Sequence, residues 1–326
     1  MTSHHAYVAA AIALAVGAAA SSSPAAAQSY PSRPVRLVVP YTPGGPTDLV
    51  ARALAQRLQP VLGQQVVVDN RAGGGGVIGT DIVAKSAPDG HTLLLGTPGQ
   101  LVLLPLLADK LPYAVDDLAP VTKVVDSPQV LIAHGKLAVN SVAELVAYAK
   151  QRPGQVTYAS VQSGGTGHLG MELLKQMTGI EMTHVPYKGT APALTDLIAG
   201  RVQFMFSSLP SVQPHVQAER LKLIATGAPK RTPAVREVPT VAESLPGYEL
   251  MTWYGVFVAK RTSPRIVERL HGELVKILTS ADIAQVFATQ GVDPAHSTPR
   301  ELTDYMRAES ARWARVIRTA GIRLEN

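Results

Sequence analysis

Short runs of β-branched and other apolar residues recur along this chain, each followed by a glycine- or proline-rich turn and then by a segment with helical spacing. That repetition constrains the fold more than any other feature. Strand, turn and helix in succession are satisfied by a mostly parallel sheet with helices on both faces. Residues 35–40 read as the first strand, and Thr47 and Asp48 can cap a helix carrying Val50, Leu54, Leu58, Val61 and Leu62, which Gly63 ends. Residues 65–69 are a second strand, the glycine loop 73–76 opens a helix through Val83, and residues 92–96 are a third strand.

The second half repeats the theme. Ser141 and Glu144 form a capping-box pattern for a helix ending near Gln151. Strands are expected at 156–160, 182–186, 202–206 and 221–226, with helices at 168–177 and 191–199. A later strand at 254–259 precedes a helix started by Ser263 and Pro264 and a last helix started by Thr298, Pro299 and Glu301. With 326 residues, of which 46% are hydrophobic, the chain can build two cores. No flexible linker separates them, so the halves are expected to be joined by strand crossovers near 121–130 and 250–258, which suits a hinge. The expected division is a signal peptide at 1–27, a discontinuous first lobe at 28–125 plus 251–326, and a second lobe at 126–250.

The signal peptide rests on an apolar, alanine-rich stretch at 7–20, a break at 21–24, and Ala25-Ala26-Ala27 as cleavage site before Gln28. The segment ahead of it carries His4 and His5 but no Lys or Arg. The mature protein is therefore expected in the periplasm or outside the cell. The absence of cysteine excludes disulfides, thiolate nucleophiles and cysteine-bound metals. Net charge is +6, but Lys and Arg are scattered and aromatics are only 5%, which argues against nucleic acid as a partner.

The loop Pro40-Tyr41-Thr42-Pro43-Gly44-Gly45-Pro46-Thr47-Asp48 joins the first strand to the first helix. Glycine lets backbone approach a ligand, and a helix start offers free N–H groups to a carboxylate. Asp48 itself reads as a helix cap, since its charge would repel an anion. Gly74, Gly76 and Gly79 match G-x-G-x-x-G. They follow the second strand rather than the first, and no acidic residue ends the next strand to hold a ribose, so a dinucleotide site is not expected. Gly96-Thr97-Pro98-Gly99 ends the third strand. From the second half, Ser160, Gln162, Ser163, Gly164, Gly165, Thr166 and His168 form one polar loop, Tyr187, Lys188, Gly189 and Thr190 another, and Ser207 and Ser208 end a strand. Ligands of open parallel sheets bind beyond the carboxyl ends of the strands, so these loops describe a solute cleft. His168 is read as a capping or buried residue more than a contact, and Trp253 as either core or cleft wall. No G-x-S-x-G, H-E-x-x-H or EF-hand pattern is present; no catalytic residue, metal ligand or cofactor is assigned.

Several of these segments together resemble the Bug-type receptors, the substrate-binding components of tripartite tricarboxylate transporters. The resemblance runs through Val39 to Asp48, Asp69-Asn70-Arg71-Ala72-Gly73-Gly74-Gly75-Gly76, Pro88-Asp89-Gly90-His91-Thr92-Leu93-Leu94, Lys110-Leu111-Pro112-Tyr113, His184-Val185-Pro186-Tyr187-Lys188-Gly189 and Val238-Pro239-Thr240-Val241-Ala242-Glu243. It covers essentially the whole mature chain. It implies an α/β, two-lobed type II periplasmic-binding-protein fold that closes by hinge motion on a small organic carboxylate. It implies delivery of the ligand to membrane subunits of a transporter or to a sensor, and no cofactor; a monomer is expected. Carried onto this chain, the ligand-binding residues are Thr42, Gly44, Gly45, Thr47, Asp48, Gly75, Gly76 and Thr97 in the first lobe. In the second lobe they are Ser163, Gly164, His168, Gly189, Thr190 and Ser207. Many relatives carry an acidic residue where this chain has Ser207, which disfavours an amino-acid ligand. A hydrolase or isomerase acting in the same cleft, and a protein-interaction module, are the alternative readings.

Overall fold

The computed structural model describes residues 30–161, 163–231 and 235–323. The expected signal peptide and Gln162 lie outside the described residues. The described residues from Arg33 to Arg323 form one compact unit. Its first strand, β1 (Val35–Val39), is buried along nearly its whole length, as a strand covered on both faces must be. Helix α1 (Pro46–Leu62) follows, with Pro46 in its first turn and Gly63 closing it in left-handed conformation at φ 69°. Strand β2 (Val66–Asn70), helix α2 (Val77–Ala84) and strand β3 (Thr92–Gly96) complete a parallel trio in the order β2-β1-β3. A Cβ on Gly79 would stand 2.9 Å from the Pro40 backbone, so this glycine lets α2 lie against the end of β1. Close packing, rather than phosphate binding, is what the last glycine of the G-x-G-x-x-G pattern serves.

After β3 come a short π-turn (Gly99–Leu103) and helix α3 (Leu104–Leu107). The next strand, β4 (Leu118–His134), spans 17 residues and belongs to both halves. Its first part pairs antiparallel with β9 (Met251–Ala259), and its last part lies between β7 (Phe204–Ser208) and β8 (Leu221–Thr226). Register shifts at Pro120/Thr122 and Lys123/Val125 absorb a proline that cannot donate to the ladder. Between them lie α4 (Val142–Lys150), β5 (Thr157–Val161), α5 (Thr166–Thr178), β6 (Thr183–Tyr187), α6 (Thr190–Ile198) and α7 (Leu209–Gln217). Strand β5 pairs parallel with both β6 and β7. Helix α8 (Val241–Ser244) precedes β9.

The parallel sheet expected from the sequence is thus mixed. Each half holds a parallel trio, but the chain passes between halves as extended strands that run against their neighbours. Three further helices, α9 (Pro264–Leu278), α10 (Ala281–Ala288) and α11 (Pro299–Ala320), close the chain, with the two-residue strand β10 (Asp293–Pro294) before the last. Thr298 and Glu301 form the expected capping box of α11. At α4 only half of that device forms. Ser141 accepts from the Glu144 N–H, but the Glu144 carboxylate bonds the N–H of Asn140 instead of Ser141. Helix α11 packs on β4 and on α5, where Gln176 Nε2 donates to the Val316 carbonyl at 3.0 Å.

Candidate functional site

Loops at the ends of β1, β2 and β3 are tied together by buried side chains, chief among them Gln100, which the sequence did not single out. The Tyr41 hydroxyl lies 2.9 Å from Thr97 Oγ1. Gln100 is completely buried, and the amide orientation that satisfies every neighbour accepts from the Thr97 N–H at 2.9 Å and donates to Thr97 Oγ1 at 2.7 Å and to the Tyr41 hydroxyl at 3.0 Å. A Cβ on Gly76, whose φ is +104°, would stand 3.4 Å from the Gln100 side chain. Gln100 therefore joins all three loops, and a lone polar residue opening the run Leu101-Val102-Leu103 was the only signal for it. Burial pushes the Tyr41 phenol above its ordinary value, so it stays a neutral donor.

Within the first loop, Thr42 and Gly44 are exposed and Gly45 is half-exposed. Gly45 caps α1 with no side-chain bond, which leaves the helix start open. Asp48 does not face that opening. It is buried, and accepts from the Gly44 N–H at 2.9 Å, Arg52 Nε at 2.8 Å and Asn70 Nδ2 at 3.0 Å. Burial raises its pKa, but the bonds from Arg52, Gly44 and Asn70 outweigh this and hold the carboxyl below its usual range. Asn70 also donates to the Tyr41 carbonyl at 3.1 Å. Thr47 is buried and bonded to Tyr254, whose phenol burial pushes up to about 12. Thr47 and Asp48, carried over as binding residues, thus shape the loop from inside. Gly75 sits at φ +67° in a single 3-10 turn before α2.

In the second half, a cavity of about 230 Å³ lies at the ends of β5, β6 and β7. It is lined by Thr166, Thr190, Ser207 and Ser208, with Gln129 and Thr252 from the crossing strands. Gln129 Nε2 donates to Thr252 Oγ1 at 3.1 Å. Helices α5, α6 and α7 all begin at this cavity, each carrying free N–H groups and a partial positive charge at its start. None of the lining residues is charged. Ser207 is only 5% exposed, and its hydroxyl has no hydrogen-bond partner among the described residues. Of the residues expected at the site, Thr190 and Ser207 line this cavity; Gly189 caps α6 beside it. Ser163, Gly164 and His168 belong to the adjoining loop and do not line it. Gln129 and Thr252 lie 123 residues apart, and no local pattern announces that they meet.

His168 is buried, and its Nδ1 accepts from the Gly164 N–H at 2.9 Å. Trp253, left between core and cleft wall, is fully buried and donates to Glu309 Oε2 at 2.6 Å. Lys188 lies beside Gly189 in the turn after β6, and the Tyr187 hydroxyl donates to Asp196 at 2.8 Å. Among the described residues, no group of three or more His, Asp or Glu side chains is placed to hold a metal ion.

Residues 50–322 match the family model of the tripartite tricarboxylate transporter family receptor, TctC. Protein BugT of Bordetella pertussis (strain Tohama I) is 40% identical over 313 residues, covering 95% of this chain and 96% of that protein. R. palustris Rpa4515, solved with adipate, is 40% identical with a TM-score of 0.78, over 91% of this chain and all (100%) of that one. MatC (Rpa3494) from Rhodopseudomonas palustris, solved with bound malate, is 30% identical with a TM-score of 0.71, over 88% of this chain and 100% of that one. The periplasmic binding protein BugD is 33% identical with a TM-score of 0.73, over 91% and 100%. The mixed sheet shared between two halves is the two-lobed type II periplasmic-binding-protein fold, and the chain belongs to the tripartite tricarboxylate transporter receptor family, TctC.

Proposed function

We propose that this protein is a periplasmic receptor that captures a small organic carboxylate by hinge closure, hands it to transporter membrane subunits, and performs no chemistry on it. The observation that carries this reading is the second-half cavity, where three helix starts and the Ser207 hydroxyl, unpartnered among the described residues, converge with no charged side chain among the described lining residues. Positive helix ends and neutral donors favour an anion, and a cation or an ammonium group finds no counter-charge there. The open start of α1 at Gly45 offers the same chemistry from the first half. Relatives solved with adipate and with malate hold ligands of this class.

In this reading the first lobe comprises residues 28–125 plus 251–326 and the second 126–250, with the hinge where β4 and β9 cross. Residues 1–27 direct export and are removed, and the receptor works as a monomer. Thr42, Gly44, Gly45, Gly75, Gly76 and Thr97 form the first-lobe face of the site, and Thr190 and Ser207 belong to the second-lobe face. Thr47 and Asp48 hold the first face in shape. Native mass spectrometry of the freshly purified protein tests the reading. A co-purified organic acid recovered chemically unchanged supports it; a neutral or cationic ligand, or a converted product, contradicts it.

A further inference from the structure

Beneath the loop at 163–165 lies a pair of stacked imidazoles that the binding site does not use. The rings of His168 on α5 and His184 on β6 are 3.8 Å apart and 13° from parallel. Neither can be doubly protonated in this arrangement without a cost. His168 Nδ1 accepts the Gly164 N–H and so carries no proton of its own. His184 Nε2 lies 2.7 Å from Ser160 Oγ on β5. The other titratable or charged groups facing the pair are Glu172 and Lys175 from α5 and Tyr158 from β5. Glu172 Oε1 is 4.0 Å from His168 Nε2, and it already accepts from the Tyr158 hydroxyl and from Lys175, each at 2.6 Å. Gly164 in turn abuts the first half: a Cβ there would stand 2.7 Å from Leu107 Cδ1 of α3. Gly164 holds φ +76°, so nothing but its N–H and its close approach defines this contact.

We propose that His168, stacked on His184, is a positioning residue that holds the 163–165 loop against Leu107, and that protonating it releases this contact. A proton on Nδ1 would place two N–H donors face to face and remove the only acceptor that the Gly164 N–H has among the described residues. A second proton, on His184, would set two cations 3.8 Å apart. Burial first, then Lys175, lowers the His168 pKa, and the nearby Glu172 only partly offsets this. Burial and then the charge of His168 push His184 down to about 4. The pair is therefore neutral at neutral pH, and the loop loosens as the medium is acidified. On the receptor reading above, which this deepens, closure on the ligand would weaken in acid; the loop contact itself does not depend on that reading.

The test uses ligand-free, isotopically labelled protein. His168 and His184 imidazole signals, the Gly164 amide and the cross-relaxation between Gly164 and the Leu107 methyls are followed by NMR from pH 8 to pH 4. The expected result is that His168 titrates below about 6.5, that the Gly164 amide moves with the same midpoint, and that the Leu107 signal fades with it. In His168→Asn, whose amide oxygen can still accept from Gly164, the contact should persist across the range, and in His168→Ala it should be lost at neutral pH. An unshifted His168 titration, or a Gly164 amide and Leu107 contact that ignore it, overturns the proposal. The wild-type titration decides even if a variant does not fold, and it needs no ligand.

Discussion

Asp48 and Gly45 stand three residues apart and contribute to the site in opposite ways. Asp48 accepts three hydrogen bonds while 2% exposed, so its carboxylate is a fixed strut beneath the loop. Asp48→Ala should cost about 2–3 kcal/mol, since charged hydrogen bonds of this kind are lost together; urea unfolding measures it. Gly45 has φ −78°, and a Cβ there would meet only the Thr42 carbonyl at 3.6 Å, an ordinary contact. Gly45→Leu should therefore keep the melting temperature within about 2 °C. It should nonetheless weaken carboxylate binding by about 100-fold or more, because the side chain fills the open helix start. Unchanged affinity by isothermal titration calorimetry would falsify the first-loop assignment. The Pro- and Gly-rich sequence of this loop marked it as a candidate site. It did not separate the residues that line the loop from those that brace it, because Asn70 reaches Asp48 from the end of β2 and Arg52 from the next turn of α1.

Helix starts are the elements on which the candidate site is built, and most were legible. β1, β2 and β3, the Ser263 and Thr298 starts, and β8 all announced themselves through periodicity and turn residues. Helix α7 did not, because Pro210 and Pro214 both fall within its nine residues. Strand β4 was expected only as a crossover. Its 17 residues hold Pro120 and Pro128, which argue against a long strand until register shifts and partners on both sides are known. The α5–β6 histidine pair was equally hidden, since 16 residues and a change of element separate its members. That pair makes a prediction for stability. His184 is neutral when folded down to about pH 4, whereas in the unfolded chain it takes a proton below about 6.5. The unfolded state then binds more protons, so stability is fully present above about pH 6.5 and falls as pH drops towards 4. Chemical denaturation across this range should show that fall, and His184→Asn should flatten it.

Across the whole molecule, the two halves are joined by β4, by β9 and by α11, which lies over both. Both tryptophans of the chain, Trp253 on β9 and Trp313 on α11, donate to the buried Glu309, at 2.6 and 3.2 Å. Arg312 and Tyr305 reach from α11 to Glu249, just before β9, at 3.0 and 3.1 Å. Burial raises the Glu309 pKa, and the indole bonds and Arg312 work against that rise. Glu309→Ala strands two indole N–H groups and should destabilise the protein by about 2–4 kcal/mol, with a shift in tryptophan emission that reports on the contact between β9 and α11. The capture of a carboxylate is tested most directly by thermal unfolding against a panel of mono- and dicarboxylates that includes adipate and malate, with amino acids and sugars alongside. A true ligand at about 100 times its dissociation constant adds about 2.7 kcal/mol and should raise the melting temperature by roughly 4–5 °C. Such a rise is expected with at least one carboxylate and none with the neutral solutes; a folded protein that responds to no carboxylate, or only to a sugar, would contradict carboxylate capture.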